Sequence, residues 1–310
     1  MKHERFIGWC LATPWALMPE RMAAYASVLA RKLSGPRADY TEENGSNVPM
    51  DDGTPSAGPR SARTGSPRSG AIAVIPVYGT IVQRASQIDM CEGGTSTQQI
   101  SAALRDALAD DTVSQILLDI DSPGGSVYGV QELAAEISQA KKPVIAVANS
   151  LAASAAYWIG CSASEFYCTP GGEVGSIGVW MAHQDWSKAL DEAGVNTTLI
   201  SAGKYKVEGN PYQPLDEDAR AFMQSRVDDY YAAFTKGVAK GRNVPIDSVR
   251  NGMGQGRVLG ADQALTEKMV DGVMTMDDVI KKMQKDMRSG ATGAAANNEL
   301  ARARNALALV

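Results

Sequence analysis

Three short runs of branched and aliphatic residues, separated by stretches of helical period, limit this chain to a small set of folds. Ala71–Val77 (AIAVIPV), Gln115–Ile120 (QILLDI) and Val144–Ala148 (VIAVA) are nearly unbroken apolar segments, the pattern of strands covered on both faces. Between them, Thr97–Ala109 and Gly129–Ala140 space alanines and leucines at helical intervals. Strand, helix and strand in succession predict a parallel sheet joined by right-handed crossovers. Further along, Leu151–Ala163 reads as a helix of small residues. Glu165–Cys168, Ile177–Ala182 and Thr197–Ser201 read as short strands, and Asp185–Ala193 and Leu215–Gly241 as helices.

The alternating region spans about 71–285 and predicts one α/β domain. Residues 1–33 precede it, with an amphipathic helix expected from about Pro19 to Lys32. Residues 34–70 are rich in Gly, Pro, Ser and acidic side chains without apolar period, the composition of a disordered linker. Residues 286–310 read as a flexible tail. The apolar run Phe6–Met18 is interrupted by Pro14 and carries two tryptophans. It is shorter than the ~18–20 residues that span a bilayer, so no membrane partner is expected. A formal net charge of −5 gives no basic footprint for nucleic acid. Cys10, Cys91, Cys161 and Cys168 show no paired or zinc-like spacing and read as free thiols of a reducing compartment.

Two segments carry the chemistry, and a third supplies a base. Asp121–Ser126 (DSPGGS) follows a strand and opens a helix. Its two glycines let backbone amides approach a ligand, as an oxyanion hole or as a tight turn. No GxxxxGK[ST] pattern marks a phosphate loop here. Ala148–Trp158 (ANSLAASAAYW) surrounds Ser154 with tiny residues, which suits either a nucleophile open to substrate or a serine that packs a helix. Ser122 and Ser150 are rival nucleophiles. The chain has only two histidines, His3 and His183, so the proton acceptor for a serine points to lysine. Ala202–Pro211 (AGKYKVEGNP) offers Lys206, with Lys204 as rival. A base lysine must be neutral near pH 7, a shift of ~3 units or about 4 kcal/mol, which burial supplies. His183 with Asp185 is the alternative base, although its place before a helix fits a structural or capping cluster better.

DSPGGSV, SLAASAAYWIG, GSIGV (Gly175–Val179) and GKYKVEGNP, in this order and spacing, resemble the S49 peptidases. That family includes signal peptide peptidase A and the head-maturation proteases of tailed phages. The resemblance covers about 71–285 and implies a crotonase/Clp-protease-like α/β spiral of parallel βαβ units. It implies a single catalytic domain with helical arms, assembled into homo-oligomeric rings or domes. Ser154 matches the family nucleophile and Lys206 its general base. Ser176 matches a serine that positions the lysine. Gly125 and the amide of Ala155 match the oxyanion donors. Gly124, Ser126 and Val127 belong to an edge that pairs with extended substrate as an added strand. No metal or cofactor is implied. Ala155 and Ala156 stand where signal peptide peptidases mostly carry glycines, and Asp121 where they carry Asn. DSPGG, the GNP after the lysine and LATPWALMPE near the N-terminus look more like the phage branch.

The function expected is therefore a serine endopeptidase that cleaves scaffold, portal or capsid proteins, and its own 34–70 linker and tail. It would act inside an assembling prohead in the host cytoplasm. The rivals are a bacterial peptidase that clears signal peptides, a catalytically silent assembly module, and acyl-thioester chemistry on coenzyme A.

Overall fold

A computed structural model describes residues 14–18, 70–84 and 94–288 of the chain. The helix expected over Pro19–Lys32, the linker up to 69 and the tail from 289 lie outside the described residues. Chain order begins β1 (Trp15–Leu17), β2 (Ala71–Tyr78), β3 (Thr80–Val82), β4 (Gly94–Ser96), α1 (Thr97–Ala109), β5 (Val113–Ser122) and β6 (Gly124–Ser126). It continues α2 (Val130–Ser138), β7 (Val144–Ala153), α3 (Ala155–Cys161), β8 (Glu165–Cys168), β9 (Glu173–Gly175), α4 (Ser187–Glu192) and α5 (Glu217–Arg242). It ends α6 (Ile246–Asn251), β10 (Val258–Gly260), α7 (Ala261–Thr266), β11 (Gly272–Val273) and α8 (Met276–Arg288).

The three apolar runs lie side by side in the larger sheet, with β5 between β2 and β7 and parallel to both. Against expectation β2 is not covered on both faces: it ends the strand order among the described residues, and Val74 is 56% exposed. β7 then divides its other edge. Its first half pairs in parallel with β8 and its second half with β9. Strand β5 is buried on both faces, and period 2 sends its residues to two cores. Ile116, Leu118 and Ile120 join the large cluster shared with α1, α2, α3 and α5, while Leu117 meets Ile145, Val147 and Tyr167 beneath Val279 and Met283 of α8. Such two-sided coverage is what an unbroken apolar strand requires. Helix α1 matches its expected bounds, fixed by a reciprocal capping box between Ser96 and Gln99.

A smaller sheet, in the order β1–β6–β3–β4, stands over the C-terminal edge of the larger one. It holds the DSPGGS segment: β6 runs antiparallel to β1 and touches β3 in parallel at Ile81–Gly125.

Three sequence expectations differ from what forms. The helix expected from Leu151 starts only at Ala155, because β7 stays extended to Ala153 through its pairing with β9. Ile177–Ala182 makes a single bridge, Trp15 to Trp180, rather than a strand. Thr197–Ser201 forms no strand. Its β-branched residues have no neighbouring strand to pair with, and Ile200 is 95% exposed. Strand propensity is realised only against a partner.

Candidate active site

Ser154 stands between β7 and α3, where the chain turns from strand to helix in one residue. Its φ of 56° and ψ of −118° are unusual for a residue with a side chain. Strain of this kind costs about 1–3 kcal/mol and persists only where the surroundings enforce it. Here they do. Ser154 N donates to Gly175 O at 2.7 Å and Ser154 O accepts from Trp158 N at 3.0 Å. Every residue of α3 is buried. Trp158 stacks on Phe234 at 4.9 Å, and Tyr157 Oη donates to Met269 O at 3.0 Å. Helix α5 comes so close that a Cβ on Gly241 would lie 2.1 Å from Cys161 O. Gly241 is thus the condition for this close packing of α5 on α3. Ser154 itself is 1% exposed, and its Oγ donates to Gly178 O at a long 3.5 Å.

The PGG edge lies directly against it. A Cβ built on Gly124 (φ 94°) would sit 2.9 Å from Ser154 Cβ and 2.9 Å from Ala153 O. One on Gly125 would sit 1.8 Å from Ile81 O, so no larger residue fits between β6 and β3. Ser122 orders the turn. Its Oγ donates to Gly79 O at 2.6 Å and accepts from Gly124 N at 3.2 Å. That role accounts for Ser122 without nucleophilic chemistry. Ala155 N–H opens α3, where no carbonyl of the helix reaches it. Ser150 lies on β7, exposed, beside a cleft of about 610 Å³ lined by Tyr78, Asp121, Pro123 and Leu151. Burial and the Asp119 carboxylate, to which it donates, push the Tyr78 hydroxyl up to about 12.

The GSIGV loop closes the third side. Gly175 adopts φ 131° and leaves no room for a Cβ, which would lie 2.5 Å from Arg257 O. Ser176 N donates to that same Arg257 O at 2.7 Å, and Ser176 is 9% exposed with φ 53°. Ser154, Ser176, Gly124, Gly125 and Ala155, scattered over 53 positions of sequence, are thereby drawn around one point.

Lys206 is not drawn in. It is exposed, and among the described residues its side chain makes no hydrogen bond or ion pair. Its backbone N donates to Gly203 O at 3.1 Å, in a turn that follows no strand. Lys204 lies over the Tyr205 ring at 4.6 Å, also in solvent. His183 is engaged elsewhere, with Nε2 3.0 Å from Asn210 O. Asp185 accepts from Ser187 N at 2.9 Å at the start of α4, and this bonding with Ser187 holds its carboxyl below the usual range. His183 and Asp185 thus bond to different partners, and no side chain caps α4.

Residues 136–289 match the family model Peptidase family S49, and residues 78–178 match Clp protease. Capsid assembly protease C of Escherichia phage lambda is 37% identical over 229 residues, covering 73% of this chain and 52% of that protein. The chain belongs to peptidase family S49. Head-tail preconnector protein GP5 of Enterobacteria phage P21 is 35% identical over 224 residues, 72% of this chain and 44% of that protein. Protease 4 of Salmonella typhi is 29% identical over 225 residues, 72% and 35% respectively. The chain spans about half the length of the phage relatives it matches. The mixed α/β architecture with its parallel sheet agrees with the Clp-protease-like spiral expected of an S49 domain. No helix among the described residues is long and apolar enough to cross a membrane.

Sequence reasoning missed two contacts that hold the segments around Ser154 and Ser176. Trp180 bridges back to Trp15, and Arg257 O anchors Ser176 from 81 residues away. Neither carries a local signal, because each acts through backbone placed by tertiary packing.

Proposed function

We propose that this S49 chain is a serine endopeptidase acting on extended segments of scaffold, portal or capsid proteins. The observation that carries the reading is Ser154 itself, a buried hydroxyl held in a strained strand-to-helix turn against a glycine edge that excludes side chains. Ser154 Oγ attacks the substrate carbonyl carbon, and its proton passes to neutral Lys206 Nζ. The amides of Gly125 and Ala155 hold the oxyanion. Lys206 returns the proton to the leaving amine nitrogen, leaving an acyl ester on Ser154, and then deprotonates the water that hydrolyses it. Ser176 positions the lysine. Substrate lies along Gly124, Ser126 and Val127 as an added strand.

In the single chain the lysine stands apart, so the dyad is completed when residues 178–218 close. The apolar side chains left in solvent there, Trp186, Val195, Ile200 and Tyr205, are available to close against a second copy. The names of the two phage relatives support a role in head assembly, which would take place in the host cytoplasm. A second reading, a silent assembly module, is favoured by the exposed Lys206. A fluorophosphonate probe separates them: labelling that vanishes in Ser154→Ala supports the peptidase. Absence of labelling in the assembled wild-type protein supports the silent module.

A further inference from the structure

The groove beside Ser154 is filled by the chain's own N-terminal segment. Strand β1 runs antiparallel to β6 with Trp15, Ala16 and Leu17 opposite Ser126, Gly125 and Gly124. Val127 N donates to Pro14 O at 3.4 Å, and Met18 N donates to Pro123 O at 3.3 Å. Antiparallel alternation makes Ala16 and Gly125 the hydrogen-bonded pair between these two. The opposite edge of the segment is held as well. Trp15 N donates to Trp180 O at 2.9 Å, Trp180 N returns to Trp15 O at 3.0 Å, and Trp180 Nε1 donates to Leu17 O at 2.8 Å. Pro14–Met18 is therefore sandwiched between two edges, and Trp15, Ala16 and Leu17 are each no more than 2% exposed.

The position of one atom decides what this means. A Cβ built on Gly124 would lie 2.3 Å from Ala16 O and 2.9 Å from Ser154 Cβ, so a single methyl-sized space touches both. The Ala16 carbonyl thus sits beside the candidate nucleophile. Its oxygen takes the Gly125 N–H assigned above to the oxyanion. The cleft that opens at Pro123 lies where the segment leaves, past Met18.

We infer that Pro14–Met18 is an internal occupant of the substrate groove that keeps the site closed until displaced, and that it reports what the groove accepts. The class is an extended apolar peptide with a small residue facing Ser154 between two large ones, as Ala16 lies between Trp15 and Leu17. Trp180 clamps the far edge through its backbone and its indole N–H. The inference rests on the reading of Ser154 as nucleophile and extends it with a self-blocked state. A tethered occupant competes at high effective concentration, so external substrate is excluded until the segment leaves.

The test uses the full chain and two variants confined to the segment. Ala16→Pro removes the N–H that pairs with Gly125, and Trp15→Ser removes the side chain buried at its start. Thermal unfolding identifies the variant that keeps the core intact. A fluorescent peptide with the sequence of residues 12–20 is titrated into each protein and read by polarisation. Binding to a folded variant about tenfold or more tighter than to wild type is expected, because only the open fraction can bind. Equal binding to wild type and to both variants, or binding to none, overturns the proposal. Fluorophosphonate labelling is followed in parallel with each protein in its assembled form and should speed up by a similar factor in the variants, with the peptide slowing it again. Labelling absent from every assembled protein while the peptide still discriminates would sink the peptidase reading and leave the internal occupant standing. Labelling that depends on Ser154 but proceeds within twofold in wild type and variants sinks the internal occupant alone.

Discussion

Every residue of α3, which begins next to Ser154, is buried, whereas from 178 to 218, the stretch that carries Lys206, not one residue is. The two halves of the proposed dyad therefore belong to regions of opposite character. On one side, strand pairing, two cores and glycine-close helix packing fix a strained serine to within hydrogen-bonding tolerance. On the other, a short helix without buried residues and loops on both sides of it carry the base in solvent. Rigid placement of the nucleophile and loose placement of the base describe a site that is preorganised on one wall and must be completed on the other. Ser154 is buried while Lys206 is exposed, so closure and activation would be one event.

The fixed wall should fail first and hardest when disturbed. Gly125→Ala places a methyl carbon 1.8 Å from Ile81 O, so β6 must separate from β3 and take the candidate oxyanion amide with it. A fall in cleavage rate of about 10²-fold or more is expected, the scale for losing one oxyanion donor. A rate within threefold of wild type would show that this edge is not part of the site.

Stability should divide along the same line. Leu117→Ala empties a site of 0% exposure between β5 and α8 and should cost about 2–5 kcal/mol. Ile200→Ala, at a side chain 95% exposed, should change unfolding by less than about 0.5 kcal/mol in the isolated chain. Urea denaturation of both variants measures the contrast. If Ile200→Ala proves as damaging as Leu117→Ala, the stretch 178–218 is packed in solution and the comparison breaks.

A smaller effect comes from titration within the buried half. Burial pushes the Cys161 thiol up to about 12 and the Cys168 thiol to about 11, from an ordinary value of 9.0. The unfolded chain loses these protons first, so the folded state is favoured fully below pH 9 and progressively less above it. The slope should reach about 1.4 kcal/mol per pH unit for Cys161, the value for one proton. Denaturation at pH 8 and pH 10 should show the fall, and Cys161→Ala should reduce it. Equal stability at both pH values would mean that the thiols are reached by water.

Much of the fixed half was readable from local pattern. The runs of Gln115–Ile120 and Val144–Ala148 announced their strands because burial on both faces leaves an unbroken apolar signature. Ala71–Val77 also forms its strand, but at the end of the sheet with Val74 56% exposed, so its apolar run overstated its coverage. The close packing around Ser154 and Gly125 was readable because tiny residues in sequence report close approach in space, here Ile81 O against Gly125; their roles came only from the S49 resemblance. What failed was whatever depends on a distant partner. Thr197–Ser201 has strand-forming residues and no strand to meet. Trp15–Leu17 lay in a run read for its length against a bilayer and its likeness to the phage branch, yet it pairs with backbone more than 100 residues away. Leu151–Ala153 read as helix because small residues carry little period, and pairing with β9 decided otherwise. Lys206 was legible as a type of residue in a type of segment, but its exposure was not, since a lysine looks alike in sequence whether it is solvated or about to be buried.

The most direct test of the account replaces the loose half alone. Lys206→Met removes the amine from an exposed position and should leave the unfolding of the isolated chain unchanged. In the assembled protein, cleavage of an unfolded substrate should fall by about 10³-fold or more, the scale for losing a member of a unit that acts together. Labelling of Ser154 by fluorophosphonate should fall with it. Full turnover from assembled Lys206→Met, with Ser154→Ala still inactive, would contradict the pairing on which the mechanism stands.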